Sequence, residues 1–324
     1  MKFQKPITVD ELCVILNHPV KVVGDRTVGI TGVNEIHSVT PGDISFVDSP
    51  KYYGKCLQSA ATVILINMEV ECPQGKALIV TDDPVSDYVT VVRHFIHFHP
   101  QKEMIHPNAV IGEGTVIQPN VFIGGDVVVG KNCMIHANVS IYARTIIGNN
   151  VTIHSGASIG ADAYYFQKRK DGWKKLESCG RTILCDYVDV GANVCIDKGV
   201  SGDTYIGEGV KFDNLVQVGH DTHIGARCLI GAQCAIAGCS FIDDDCNIWA
   251  RSCVNKDVYM AKNTTLLALS AVDKSVHEEG QVLFGQPAAD ARSKWKEMAC
   301  SRALPNLVRE FEQLKKEVEE LRNK

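Results

Sequence analysis

Residues 105–159 read IHPNAV-IGEGTV-IQPNVF-IGGDVV-VGKNCM-IHANVS-IYARTI-IGNNVT-IHSGAS-I, with an aliphatic residue opening every block of six. The openers are Ile105, Ile111, Ile117, Ile123, Val129, Ile135, Ile141, Ile147, Ile153 and Ile159. After an interruption the period resumes at Leu184, Val190 and Ile196, shifts phase by four residues, and continues from Ile206 through Phe212, Val218 and Ile224 to Met260. Four positions after an opener comes a small residue, as in Thr115, Val121, Cys133, Thr145, Ala157, Thr222, Cys228 and Cys234. A period of six is neither the 3.6 of a helix nor the 2 of an amphipathic strand. Each block is therefore a short strand plus a turn, with the large aliphatic and the small residue both facing inward. The Gly that often follows the opener, as at Gly112, Gly124 and Gly148, suits a tight corner.

Three such blocks close a triangular coil of about 18 residues, and coils stacked about 4.8 Å apart hydrogen-bond to one another. This is similar to the parallel β-helix of hexapeptide repeats, which implies left-handed coiling against the usual crossover rule. The inward small positions account for several of the 13 cysteines as core residues. No CxxC pair occurs, and the long chain and odd count argue for reduced thiols rather than a disulfide framework or a zinc site.

Outward from the repeats, residues 1–100 lack the period and read as a compact α/β unit. Thr8-Val9-Asp10-Glu11 is a capping box for a helix to about Leu16, and Asp83-Pro84 opens another to about Phe95. Ala61 to Ile66 and Ala77 to Val80 read as buried strands. His94, His97 and His99 follow without an acidic or Cys ligand and read as a polar helix end. The repeats occupy 101–287, with an inserted loop at 161–182 that carries Tyr164, Tyr165, Phe166 and Trp173 among Lys168, Arg169, Lys170, Lys174 and Lys175. Long loops of this kind tend to be functional. Residues 288–324 read as a helical extension, in which Leu307, Phe311, Leu314, Val318 and Leu321 alternate by four and three. That pattern fits an oligomeric seam, packing on the repeats, or a partner's docking site.

A net charge of −5 offers no field for nucleic acid or an anionic membrane. There is no apolar run of spanning length and no signal-peptide pattern at the start, so the expectation is a soluble cytoplasmic protein with at most peripheral membrane contact. No P-loop is present. Histidine pairs His136/His154 and His220/His223 were weighed as metal ligands, and the reading is no metal. The densest polar cluster within the coils is Asp213-Asn214-Leu215-Val216-Gln217-Val218-Gly219-His220. A narrow prism interior excludes these side chains, so they project into a cleft or interface. There His220 suits a general base, with Asp213 as the group that orients its ring.

With these residues in view, the chain resembles the UDP-3-O-acylglucosamine N-acyltransferases of lipid A biosynthesis. Gly42-Asp43-Ile44-Ser45-Phe46 followed by Pro50-Lys51-Tyr52 resembles that family's uridine-binding signature. Ile153-His154-Ser155-Gly156 through Asp162 resembles its mid-prism motif, Ile196-Asp197-Lys198-Gly199 its Ile-Asp-Arg-Gly turn, and Asp213-Asn214 with Gln217 and His220 its catalytic segment. Phe284-Gly285-Gln286-Pro287 resembles the exit from the prism.

The resemblance implies a homotrimer that moves a 3-hydroxyacyl chain from acyl carrier protein to the 2-amino group of UDP-3-O-acylglucosamine. His220 and Asp213 are the implied catalytic pair. Phe46, Ser49, Tyr52, Asn214, Gln217, His154, Asp162 and Lys198 are the implied substrate contacts. No cofactor is expected, because the acyl group arrives on the carrier's phosphopantetheine. The chain departs from the family at Ser49 (usually Asn), Ala163-Tyr164-Tyr165-Phe166 (a Gly-Phe-Gly-aromatic run), Lys198 (Arg) and Asn255-Lys256-Asp257 (a second His). Those departures keep open two other readings: a CoA-dependent N-acetyltransferase of another nucleotide amino sugar, and a non-catalytic paralogue.

Overall fold

A computed structural model describes residues 1–97, 100–169 and 172–322; His99 and Lys170, named above, lie outside the described residues. Three parallel sheets wind through the repeats. The first face runs from Val110–Ile111 to Tyr259–Met260 in eight strands, the second from Val116–Ile117 to Ala289–Asp290 in ten, of which the last is antiparallel, and the third from Phe122–Ile123 to Ala271–Val272 in eight. Each strand pairs with the one a full coil away, Val129 with Ile147 and Ile206 with Ile224, so the period of six becomes three faces per coil. The openers line a continuous apolar core from Ile123 to Leu283, with Cys133, Thr145, Thr222, Cys228 and Cys234 buried beside them. A polar inward residue is satisfied locally: Thr222 Oγ1 donates to the Ala237 carbonyl at 3.2 Å.

The glycine after the opener is required by close approach of neighbouring coils: a Cβ at Gly112 would sit 2.4 Å from the Gly130 carbonyl carbon. The left-handed backbone falls two residues later, where Asp126, Asn132, Asn138 and Asn150 take positive φ, as short polar side chains tolerate.

The N-terminal unit is a six-stranded sheet, β1 (Lys2–Ile7), β2 (Lys21–Gly24), β3 (Ile30–Val33), β4 (Asp43–Val47), β5 (Val63–Ile66) and β6 (Ala77–Val80), in the order β1-β3-β4-β5-β6-β2. Strands β3 to β6 run parallel. Helices α1 (Val9–Leu16) and α3 (Pro84–Phe95) have the expected extents, α1 with both capping-box hydrogen bonds in place. Helix α2 (Pro50–Leu57) was not read from sequence, because its apolar positions are few. This unit shares a core with the repeats: Ala163, Leu176, Cys179 and Val200 are buried with Ile30, Val33, Ile44 and Tyr88. The Met1 ammonium donates to the carbonyls of Val33 and Ser201, at 2.7 Å each.

Two irregularities build the site. The inserted segment is a β-hairpin, Phe166–Arg169 against Gly172–Lys175, rather than an open loop. It leans on the N-terminal unit through Arg169 to Asp48 (3.0 Å) and Lys174 to Asp83 (3.2 Å). The four-residue phase shift is an excursion at 198–202, after which Asp203–Ile206 pairs with Arg181–Leu184. At the far end a single helix, α4 (Ala291–Arg322), leaves the last coil as the helical extension read from the sequence. Among the described residues, no helix is long and apolar enough to cross a membrane.

Candidate active site

His220 lies at the corner between the third and first faces, 7% exposed, two residues after the buried opener Val218. The next residue, Asp221, takes the left-handed corner position (φ 54°) and turns its carboxylate back to the ring, with Oδ2 2.9 Å from His220 Nδ1. The same carboxylate accepts the N–H groups of Val200 (2.7 Å) and Gly202 (3.1 Å), both in the phase-shift excursion. A carboxylate so held only accepts, so Nδ1 carries the proton and Nε2 presents its lone pair.

Gly238, one coil further on, lies against the ring: a Cβ there would be 2.7 Å from Nε2. The Gly238 N–H makes no backbone hydrogen bond among the described residues. His220 lines a cavity of about 540 Å³ together with Tyr164, Tyr165, Phe166, Gln167, Trp173 and Lys256. The hairpin thus supplies an aromatic wall, and Lys256 a cation, beside an imidazole whose free nitrogen can take a proton.

Behind the ring is a half-buried acid that sequence reasoning missed. Glu35 follows β3, and its backbone N–H donates to Ser201 Oγ (2.9 Å). Burial, then the neighbouring Asp221 charge, pushes the Glu35 carboxyl up to about 7. Tyr165 packs edge-on to His220, ring centroids 5.3 Å apart, and burial and Glu35 raise its hydroxyl. No motif marks Glu35; only the fold brings the N-terminal unit to the coil corner. The signal for Tyr165 was available, since a bulky ring stands where the resembled family keeps Gly.

Asp213 is corrected as the group that orients His220. It lies at the other end of the third face, at the corner with the second face, and its Oδ1 accepts the Asn214 N–H at 2.7 Å. The seven residues between them span a full six-residue face, which separates the two side chains instead of sharing a corner between them. Asn214 is beside Asp213, its Oδ1 accepting the Ala192 N–H at 2.7 Å. His154 is in the same corner column, stacked on His136 at 4.9 Å and 3.3 Å from Asp189. On the His220 side, Asp162 pairs with Lys198 (2.9 Å) and Lys175 (2.5 Å). Gln217 is exposed on the third face, its Nε2 donating to the Val218 carbonyl at 3.3 Å, and burial raises the carboxyl of Asp197 on the neighbouring strand.

In the N-terminal unit, Phe46 packs on Tyr88 at 4.8 Å, Ser49 caps α2 without a side-chain hydrogen bond, and Tyr52 is exposed with Lys51 Nζ over its ring. They lie at the carboxyl end of β4, where parallel sheets commonly take ligands. Arg169 reaches Asp48, next to Ser49, so one hairpin connects this region with the His220 cavity.

The histidine pairs weighed as ligands are stacked rings: His136 lies on His154, and His223 lies between Tyr205 and Phe241. A different trio, His220, Asp221 and Cys239, has its ligand atoms within 4.8 Å. Burial, then Asp221, pushes the Cys239 thiol up to about 12, and Asp221 already holds His220 Nδ1. That chemistry suits a proton-relay group better than a metal, which needs the thiolate.

Comparison with known proteins agrees with the architecture. The family model for UDP-3-O-(3-hydroxymyristoyl) glucosamine N-acyltransferase matches residues 27–94, and that for bacterial transferase hexapeptide repeats matches 126–161 and 203–238. Proteins named UDP-3-O-acylglucosamine N-acyltransferase are similar over most of their length: 36% identity in Delftia acidovorans (86% of each chain) and 35% in Syntrophotalea carbinolica (97% of each). The solved UDP-N-acetylglucosamine acyltransferase of Bacteroides fragilis superposes with a TM-score of 0.52 at 28% identity, covering 59% of this chain and 74% of that one. The chain belongs to the UDP-3-O-acylglucosamine N-acyltransferase family.

Proposed function

We propose that this protein transfers a 3-hydroxyacyl group from the phosphopantetheine thioester of acyl carrier protein to the 2-amino group of UDP-3-O-acylglucosamine, in the cytoplasm. The carrying observation is the His220 ring, locked through Nδ1 on Asp221 and lining a cavity of about 540 Å³. As the amine attacks the thioester carbonyl, the C–N bond forms and His220 Nε2 takes the proton from nitrogen. The Gly238 N–H is the donor for the oxyanion. Collapse breaks the C–S bond, and the proton passes from Nε2 to the departing sulfur. Asp221 stabilises the imidazolium between these steps, as the carboxylate of a catalytic triad does.

Phe46, Ser49 and Tyr52 are proposed to hold the uridine, and Asp162, Lys198 and Gln217 to contact the sugar beside His220. Lys256 supplies a positive charge at the cavity, next to Asp257, where the resembled family has its second His. His154, Asp213 and Asn214 lie at the opposite corner, so their part in the same site requires a neighbouring copy to bring that corner to His220. A homotrimer provides such a pairing.

The test is incubation of purified protein with UDP-3-O-acylglucosamine and a panel of 3-hydroxyacyl carrier proteins, or with acetyl-CoA, read by mass spectrometry. A mass gain of one hydroxyacyl group supports the proposal. Turnover of acetyl-CoA alone, or no product with nucleotide binding intact, refutes it.

A further inference from the structure

Asp221 is held by a segment that the regular repeat does not contain. At regular corners a polar side chain takes one N–H from the coil below, as Asp244 does from Ala226 (2.8 Å) and Asn214 from Ala192 (2.7 Å). Asp221 takes two, one on each oxygen: the Val200 N–H on Oδ2 at 2.7 Å and the Gly202 N–H on Oδ1 at 3.1 Å. Both come from the excursion at 198–202, and neither has a backbone acceptor among the described residues. Two donors on the two oxygens fix the plane of the carboxylate, and hydrogen bonds to a charged acceptor are the stronger kind. That plane in turn fixes the ring, because Oδ2 also faces His220 Nδ1 at 2.9 Å.

Ser201 stands between the two donors in the chain, and its side chain belongs to the N-terminal unit. It is 3% exposed, and its Oγ accepts the Glu35 N–H at 2.9 Å. The Glu35 N–H has no backbone acceptor either, among the described residues. Glu35 follows Asn34, whose N–H donates to the Ile44 carbonyl at 2.9 Å, so the tie ends on β4, the strand that carries Phe46. Val200 is buried in the core that the two units share. The rest of the excursion is Lys198, which pairs with Asp162, and the glycines at 199 and 202. Ser201 is therefore the residue of the excursion whose side chain hydrogen-bonds the N-terminal unit.

We infer that Ser201 is a positioning residue for the acyl transfer: tied to the Glu35 N–H, it seats the Val200 and Gly202 N–H groups on Asp221 and so aims His220 Nε2. The inference rests on the reading of His220 as the base and Asp221 as its partner. It makes the N-terminal unit a support of the reacting ring, apart from its proposed hold on the uridine.

The test compares Ser201→Ala with Ser201→Thr in the full chain, alone and combined with Asp221→Asn. Ser201→Ala keeps the main chain and loses the oxygen; kcat is expected to fall about tenfold or more, with KM for UDP-3-O-acylglucosamine within about twofold of the parent. Ser201→Thr, which keeps the oxygen, should recover most of that loss. In the Asp221→Asn background Ser201→Ala should cost less than about twofold further, because its effect runs through Asp221. The Nδ1–H signal of His220, assigned in histidine-labelled protein by its loss in His220→Ala, should shift or broaden in Ser201→Ala and stay in place in Ser201→Thr. That signal needs no turnover, so it decides the placement of the ring separately from the acyl-transfer reading, which His220→Ala tests. An unchanged signal or kcat in Ser201→Ala, equal losses in the Ala and Thr variants, a change in KM alone, or an undiminished loss in the Asp221→Asn background would overturn the inference.

Discussion

Replacing Glu35 by Gln tests whether the acid behind His220 is forced into an unfavourable place. Its carboxyl is held at about 7 in the folded protein against 4.5 for the free group. Holding the carboxyl at about 7 instead of 4.5 corresponds to about 3 kcal/mol, at about 1.4 kcal/mol for each tenfold change in proton affinity. The raised value fixes the sign. Between pH 4.5 and 7 the folded state keeps a proton that the unfolded state has lost, so stability falls with rising pH through that window and is level above it. Glu35→Gln removes the titration while keeping the size and shape of the side chain. Its stability relative to the parent should therefore be unchanged near pH 4.5 and rise to about 3 kcal/mol by pH 8. Thermal melts at matched scan rates from pH 4.5 to 8.5 should show the two curves diverging across the window, with Gln the more stable at the alkaline end. Parallel melting curves would mean that Glu35 is hydrated and ionised like a surface carboxylate, and the description of the half-buried acid would fail.

Asp221→Asn keeps the shape but offers only one acceptor oxygen and the wrong charge beneath the imidazolium; kcat should fall by about two to four orders of magnitude with KM little changed in steady-state assays. Gly238→Ala puts a Cβ 2.7 Å from His220 Nε2, and a ring displaced by about 1 Å should lose about 10²-fold in kcat, measured beside an unchanged circular dichroism spectrum. Mixing His220→Ala with Asp213→Ala chains after unfolding and reassembly should recover about a quarter of parental turnover, since random pairing leaves that share of intersubunit sites intact. Recovery no greater than either parent would remove Asp213 from the site.

The repeat made the architecture legible because every coil repeats one steric demand, a large aliphatic and a small residue inward, and Ile105 to Met260 satisfy it almost without exception. His220 was legible as a polar residue in a cluster that the narrow interior excludes. Its partner was not. Asp213 and Asp221 are both close to it in sequence, and only the corner geometry, with the left-handed backbone at Asp221, decides between them. The phase shift after Ile196 was visible as a break in period, yet nothing in it announced that Val200 and Gly202 would clamp Asp221. Glu35 was invisible for another reason: its neighbours are about 130 residues or more away in the chain, and no local pattern reports a contact made by docking one unit on another. The inserted segment read as a loop because a hairpin of four-residue strands carries too short an alternation to register.

The most direct test of the central claim is single-turnover acyl transfer by His220→Ala, with a hydroxyacyl carrier protein that the parent protein accepts. The account predicts that the mass gain on UDP-3-O-acylglucosamine is reduced by at least about 10²-fold, while the melting temperature and nucleotide binding match the parent. Transfer at the parental rate by a fully folded His220→Ala protein would contradict it.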